Sequence, residues 1–393
     1  MLSPFLLNLI QAELTNQNLD GWLLYDFRGT NPVAGGLIGV KGLASRRIFA
    51  WIPREGTPVA VMHAIEPGPW RHWPKEWNRA IYSSWKTLES TLATLVRGKR
   101  VAMEYSAGDA VPYLDRIPAG VIEMVRAAGA EVVTSGELVS RFYAAWTADD
   151  IAAHVRAAEV IATIARDAFT TIGERVRGKN PATEYEMMQW ILERFSRAGL
   201  TTDHGPNVSA GPNSADPHYE PTASRTRTIG DNEVVLIDLW ATEKAGHPYA
   251  DQTWMGSVGA PSTKAVSVWE AVRDARDAAI ETVCSSAGQR ESIPGAAADD
   301  AARKVITDRG FGTYFTHRTG HSIDAHDLHG SGPHLDNLET RETRLLIPGV
   351  GFSIEPGVYI GGEFGMRSEV NVYMEPNRAV VTPKVYQREL FVL

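Results

Sequence analysis

The stretch VVLIDLW, residues 234–240, sets a carboxylate, Asp238, inside a run that is otherwise apolar and largely β-branched. An unpaired carboxylate in such a strand costs several kcal/mol or gives up its charge. Thirteen residues later Asp251 lies in a second strand-like run, YADQTW, with ATEKAGHP as the turn between them. Near the C-terminus the pattern recurs. Glu355 lies in GFSIEPGVYI and Glu369 in MRSEVNVYM, fourteen apart across GGEFG. The spacing predicts two hairpins, each projecting two acids from neighbouring strands. Four acids converging in a dry interior are untenable unless cations neutralise them. Two divalent ions would balance four carboxylates charge for charge.

The rest of the chain supplies the frame. Residues 1–146 alternate strands and helices: strand patterns at 20–26, 46–53, 57–63, 99–105 and 130–135, helical patterns at 83–98 and 111–129. That is an α/β layer, and it holds neither a glycine-rich phosphate fingerprint nor a cluster of ligand-type residues. Thr147, with Asp149 and Asp150 in the first turn, predicts the start of a long helix. The domain boundary is placed there, giving domains 1–146 and 147–393. Further helices are expected at 183–198, 262–287 and 294–309, with β-rich segments between and after them. The N-terminal MLSPFLLNLIQAEL is broken by polar residues at helical spacing, so it reads as an amphipathic helix and not a signal peptide.

A net charge of −8 and a pI near 5.8 leave no electrostatic footprint for nucleic acid or an anionic membrane. No apolar run nears the roughly 20 residues of a membrane span. The single cysteine, Cys284, rules out an internal disulfide and thiolate metal sites, and reads as a buried small hydrophobe. A cytoplasmic location is the expectation.

Five of the eleven histidines lie in HRTGHSIDAHDLHGSGPH, residues 317–334. Alone, that cluster fits a metal site, a proton relay or a polar loop. With the four acids, the set resembles the pita-bread metallopeptidases: Xaa-Pro aminopeptidase, proline dipeptidase, methionine aminopeptidase and the metal-free creatinase. Their ligands run Asp, Asp, His, Glu, Glu, and the matching positions are Asp238 in LIDLW, Asp251 in ADQT, His321 in TGHSI, Glu355 in IEPGVY and Glu369 in MRSEV. DGWLLYDFRGTNP resembles the creatinase/prolidase N-terminal domain, and SAGPNSADPHYEP (209–221) the family's substrate-pocket loop.

The resemblance implies an α/β N-terminal domain followed by an α+β pita-bread catalytic domain with an antiparallel sheet. It implies two divalent metals, Mn²⁺ first, with Co²⁺, Zn²⁺ or Fe²⁺ as alternatives suited to an oxygen-rich set. Asp238 would chelate one ion, His321 and Glu355 the other, with Asp251 and Glu369 bridging. The reaction implied is hydrolysis of an Xaa-Pro bond, in dipeptides or at peptide N-termini, by metal-activated hydroxide. His218 and His329 would assist, and Glu355 would carry the proton. His326 is the alternative to His329, because the family's second histidine falls at 328, which is Leu here. His317 is expected to line the substrate pocket, and Arg367 to orient a bridging carboxylate or hold the substrate's carboxylate. His334 is expected to face solvent or pack in a loop.

Trp254 stands where many relatives carry Arg, which puts their substrate recognition in doubt for this chain. The tryptophan-rich stretch 69–85 reads as core and interface packing or as a channel wall. A homodimer acting on a small proline peptide, with no nucleic acid and no membrane, completes the reading. Its rivals are a metal-independent creatinase-like amidinohydrolase and a non-catalytic binding protein on the same fold; both predict lost site residues.

Overall fold

The computed structural model describes residues 2–40 and 44–393, and the chain divides into two compact units, Met1–Tyr143 and Ala144–Leu393. The first unit runs α1 (Pro4–Asn16), β1 (Gly21–Asp26), α2 (Pro32–Ile38), β2 (Ile48–Pro53), β3 (Val59–His63), β4 (Asn78–Tyr82), α3 (Trp85–Val96), β5 (Arg100–Met103), α4 (Ala119–Ala127), β6 (Glu131–Thr134) and α5 (Gly136–Phe142). Its sheet is ordered β4-β3-β2-β1-β5-β6 and is mixed, antiparallel through β1–β2–β3 and parallel elsewhere. Alternation sends Trp22, Leu24, Ala50 and Ile52 to one core, with α1, α2 and α5. Leu23, Tyr25, Phe49 and Trp51 go to the other, with α3 and α4. Both faces are covered, which is why these strands are apolar throughout.

Two expectations change here. The helix expected over 111–129 is a short turn at Pro112–Leu114 followed by α4, which begins only after Pro118; proline disfavours helix in the residue before it. Edge strand β4, unexpected from sequence, lies inside the tryptophan-rich stretch. Trp70, Trp73 and Trp77 are buried there in successive edge-to-face contacts at 5.2 and 5.0 Å, whereas Trp85 is exposed. Arg79 braces this stretch by donating to the carbonyls of Trp73, Pro74 and Trp77.

The second unit opens with α6 (Ala148–Arg177), started by a capping box between Thr147 and Asp150. It continues with α7 (Glu184–Arg197), β7 (Asn207–Ala210), β8 (Val234–Ala241), β9 (Ala250–Ser257), α8 (Thr263–Gly288), α9 (Gly295–Asp308), β10 (Ser322–Ile323), β11 (Gly351–Ile354), β12 (Gly357–Ile360), β13 (Phe364–Arg367), β14 (Val370–Glu375), β15 (Arg378–Thr382) and β16 (Phe391–Val392). One sheet is ordered β16-β9-β8-β7 and another β10-β11-β14-β15, while β12 and β13 form a separate hairpin. All pairings in this unit are antiparallel except β16 with β9.

The β8–β9 hairpin has two unlike faces. Val235, Ile237, Leu239 and Trp254 pack with α6 and α7. Leu236 and Met255 look the other way, into a core shared with α8, α9 and strands β11 to β14. Further along that second face, where the apolar side chains stop, stand Asp238 and Asp251. Among the described residues no helix is long and apolar enough to cross a membrane.

Candidate metal centre

Asp238 and Asp251 are in strands, as expected, but not directly opposed: Asp238 is paired with Thr253, and Asp251 with Trp240. Glu355 and Glu369 depart from expectation. Each lies in a break between strands, Glu355 between β11 and β12 and Glu369 between β13 and β14. Pro356 has no N–H to continue a ladder, so the chain bends there. The freed backbone finds other partners: Glu355 N–H donates to Thr319 O at 2.7 Å and Glu369 N–H to Thr253 O at 3.3 Å. The break aims both glutamates at the aspartate-bearing hairpin. Asp251 N–H donating to Asn371 Oδ1 (2.8 Å) and Thr253 Oγ1 donating to Glu369 Oε2 (2.8 Å) fasten the two sets of strands together.

His321 is buried, its backbone N–H donating to Ser353 Oγ at 2.9 Å. Its Nδ1 lies 3.1 Å from Ser322 O, an acceptor, so Nδ1 carries the proton and Nε2 a lone pair. Nε2 points into the acids, 3.4 Å from both Asp251 Oδ2 and Glu355 Oε1. One ligand atom each from Asp251, His321 and Glu369 falls within a mutual 4.8 Å.

The electrostatics are those of an acid cluster short of counter-charge. Burial pushes Asp238 up to about 7 against the pull of Arg367, and pushes Asp251 up to about 8 with Glu355 adding. Burial, then Asp251, Glu355 and Asp238, raise Glu369 well above the carboxylate range. Glu355 goes the other way: burial works to raise it, but His321, Arg367, His317 and Arg318 outweigh that and hold it at about 2. Asp238 Oδ1 and Glu369 Oε1 are buried with no hydrogen-bond donor. Two orphaned carboxylate oxygens and one imidazole lone pair converging on the same space fit divalent cations that prefer oxygen with some nitrogen.

Arg367, expected to orient a bridging carboxylate or hold the substrate's, is buried and pairs with Asp238. Its Nε donates to Thr253 Oγ1 (2.9 Å) and its Nη1 to Tyr359 Oη (3.2 Å). Tyr359 donates in turn to His317 Nε2 at 2.9 Å, since His317 Nδ1 faces Arg318 O at 2.6 Å. Burial lifts Tyr359 to about 12, so the phenol keeps its proton. His317 is thereby tied to the cluster through Tyr359, which sequence reasoning missed; a tyrosine in a strand carries no signal of its own.

The remaining histidines separate by placement. The His329 ring lies 4.2 Å from the His321 ring, and His321, with burial and Arg318, brings it down to about 3. It is a neutral imidazole at physiological pH. Its loop winds around buried Asp324, whose carboxylate accepts from His326, Asp327 and Ser331 N–H groups. His326 and His329 are both exposed on that loop; the contact with the His321 ring distinguishes His329. His218 is exposed and follows Pro217, whose carbonyl accepts from Arg367 Nη1 and Asn207 Nδ2, each at 3.4 Å. His334 does not face solvent: it is fully buried, its Nδ1 accepting from Ser322 N–H at 3.1 Å.

Trp254 faces away from the acids. It stacks on Phe391 at 6.0 Å, and its indole donates to Gln252 Oε1 at 3.0 Å. The residue that replaces the relatives' arginine is therefore core. Trp254→Ala is expected to cost about 3–5 kcal/mol of stability, as large-to-small changes of buried aromatics do. It should leave the uptake of divalent metal unchanged. Urea denaturation and metal titration check both halves, and a lost ion would contradict the assignment of Trp254 to the core.

Comparison with known proteins agrees with this architecture. The chain is 34% identical over 193 residues to the Xaa-Pro dipeptidase of Lactobacillus delbrueckii subsp. lactis, covering 49% of this chain and 48% of that protein. It is 32% identical over 199 residues to a probable dipeptidase PepE of Mycobacterium tuberculosis, covering 50% and 49%. The match thus spans about half the length of these curated relatives. Among solved structures, dipeptidase PepE from Mycobacterium ulcerans superposes with a TM-score of 0.72 at 23% identity, over 98% of this chain and 96% of that one. That likeness is one of fold, the pita-bread arrangement. The profile of metallopeptidase family M24 matches residues 153–376, which include all five acid and imidazole ligand candidates; the chain belongs to this family.

Proposed function

We propose that this chain is a two-metal exopeptidase hydrolysing the bond before proline, in Xaa-Pro dipeptides or at the N-terminus of longer peptides. The observation that carries the reading is the convergence of four carboxylates and one imidazole, Asp251, Glu369 and His321 buried and Asp238 and Glu355 half-buried, with its orphaned oxygens, within an M24 chain. The name Xaa-Pro dipeptidase borne by a relative supports the proline specificity. On this reading the first unit is a creatinase/prolidase-type N-terminal domain, the second is the catalytic domain, and the active form is a homodimer.

Asp238, Asp251, His321, Glu355 and Glu369 would hold the ions, Mn²⁺ or alternatively Co²⁺, Zn²⁺ or Fe²⁺. Bound there, the ions supply Lewis acidity and make hydroxide available from water at neutral pH. The chain's own groups do the rest. Glu355 keeps its charge in the cluster, so it is ionised, and by its place beside His321 it would accept the proton of the attacking water. It returns that proton to the proline nitrogen as the C–N bond breaks. A neutral His329 has one N–H to give the carbonyl oxygen as it gains charge, and His218 would offer another. Arg367, engaged by Asp238, Thr253 and Tyr359, holds Asp238 in orientation. His317, fixed by Tyr359, forms part of the pocket wall.

The test is hydrolysis of Ala-Pro and of Ala-Pro-Ala-Ala by metal-stripped protein, before and after Mn²⁺, Co²⁺ or Zn²⁺ is restored. Metal-dependent release of alanine is expected. Cleavage of the dipeptide alone would make the enzyme a dipeptidase, and release from the longer peptide an aminopeptidase. Failure on both peptides with two ions bound would sink the proline reading.

A further inference from the structure

We infer that Glu184, in the first turn of α7, is the positioning residue for His218. Nothing in PATEYEMMQW marks it. Yet Glu184 is fully buried, and its carboxylate collects five hydrogen bonds. Oε1 accepts from Ala210 N–H (2.8 Å) and Asn213 Nδ2 (3.0 Å). Oε2 accepts from Tyr219 Oη (2.7 Å), Arg227 N–H (2.9 Å) and the same Asn213 amide (3.1 Å). All four donor residues lie in residues 210–227, the segment that carries His218.

That segment is also gripped from the metal side. Ser214 Oγ accepts from Gly365 N–H at 2.9 Å, and a Cβ on Gly365 would stand 2.1 Å from Ser214 O, so the approach admits only glycine. Pro217 O, one residue before His218, meets Arg367 and Asn207; Tyr219, one residue after it, is buried and bonded to Glu184. The imidazole therefore hangs between two fixed residues, one held by the ligand cluster and the other by Glu184. A surface histidine without a role would not need a buried carboxylate behind it, because burying that charge costs free energy that its donors must offset.

The kinetic consequence rests on the peptidase reading above; the geometry does not. In Glu184→Gln the side chain keeps its shape, but one carboxylate oxygen accepts from two donors and the other from three, so either amide orientation sets an NH₂ against an N–H or O–H. On the holoenzyme, kcat for Ala-Pro is expected to fall about 10- to 100-fold, with KM and Mn²⁺ stoichiometry unchanged. In a His218→Ala background the same substitution should cost less than about twofold further, since a residue acting through another is silent once that other is gone. Losses that multiply would overturn the inference and leave Glu184 a purely structural residue.

Tyr219→Phe, which removes one bond of the five, is the variant to use if Glu184→Gln does not fold. Its readout is also independent of catalysis: the imidazole Cε1–H resonance of His218 in histidine-labelled protein, assigned with His218→Ala. A displaced or broadened resonance supports the inference, and an unmoved one overturns it. If the wild type cleaves neither peptide, the peptidase reading falls, and this resonance alone decides the role of Glu184.

Discussion

Metal-free Glu369→Gln is expected to melt at a higher temperature than the metal-free wild type, and to gain far less from Mn²⁺. The two effects have opposite signs because one group causes both. Without cations, Glu369 is an acid buried among Asp251, Glu355 and Asp238, and those neighbours and burial make its charge costly. Replacing it by an amide removes that cost. With cations, its orphaned Oε1 is an oxygen the ions would use. Any ligand that binds only the folded chain stabilises it in proportion to its affinity. The variant should therefore bind fewer than two ions per chain and lose Ala-Pro hydrolysis by about a thousandfold or more, as removal of a group central to metal chemistry does.

The same cluster sets the pH dependence. In the unfolded chain Asp238 and Asp251 release their protons near pH 4, whereas in the folded chain they hold them to about 7 and about 8. Between about pH 4 and pH 8 the folded state binds more protons, so metal-free stability from these groups falls as pH rises. Glu355, held at about 2, acts oppositely: its contribution is present above its unfolded value and is lost as pH falls towards 2. Cations displace the protons, so Mn²⁺ affinity rises across the same upper window. Denaturation at pH 5 and pH 8.5, with and without Mn²⁺, checks the sign. Equal melting of metal-free wild type and variant, with two ions bound to each, would remove Glu369 from the centre.

His329→Ala is expected to lower kcat for Ala-Pro by about 10²- to 10⁴-fold, the range for loss of a positioned proton donor. His326→Ala should stay within a few-fold of wild type. Both histidines lie on the loop that Asp324 winds, and the His329 ring packs at a tilt 4.2 Å from the ring of the ligand candidate His321. With His321 holding it near 3, His329 stays neutral through the working range. Its loss should therefore lower the plateau of the pH–rate profile without moving the limbs, and Mn²⁺ stoichiometry should not change. The reverse order of effects would transfer the role to His326.

How much of this was legible beforehand differs from residue to residue. Asp238 announced itself because a charge inside VVLIDLW has no cheap explanation. Thr147 did so because a capping box is local, its donor and acceptor three residues apart. The order and context of the five ligand candidates carried the family. Other features were invisible. Glu355 and Glu369 were read as strand residues, yet their reach depends on two breaks that only the pairing of β11 with β14 and of β12 with β13 reveals. The alternative of His326 or His329 could not be resolved by spacing, since the loop's path is set by Asp324 bonding to its own backbone. Tyr359, Thr253 and Glu184 have no motif at all.

The division follows from the range of the interactions. Periodicity, caps and charges misplaced in apolar runs are properties of neighbours along the chain, so the sequence by itself determined most of the helices, the β8–β9 hairpin and the ligand candidates. Which acid meets Arg367, which face Trp254 takes and what holds His218 in place are contacts between residues roughly 30 to 150 positions apart. Only the tertiary structure decided those, because a side chain's direction at such a site is settled by the packing of whole elements and not by its own neighbours.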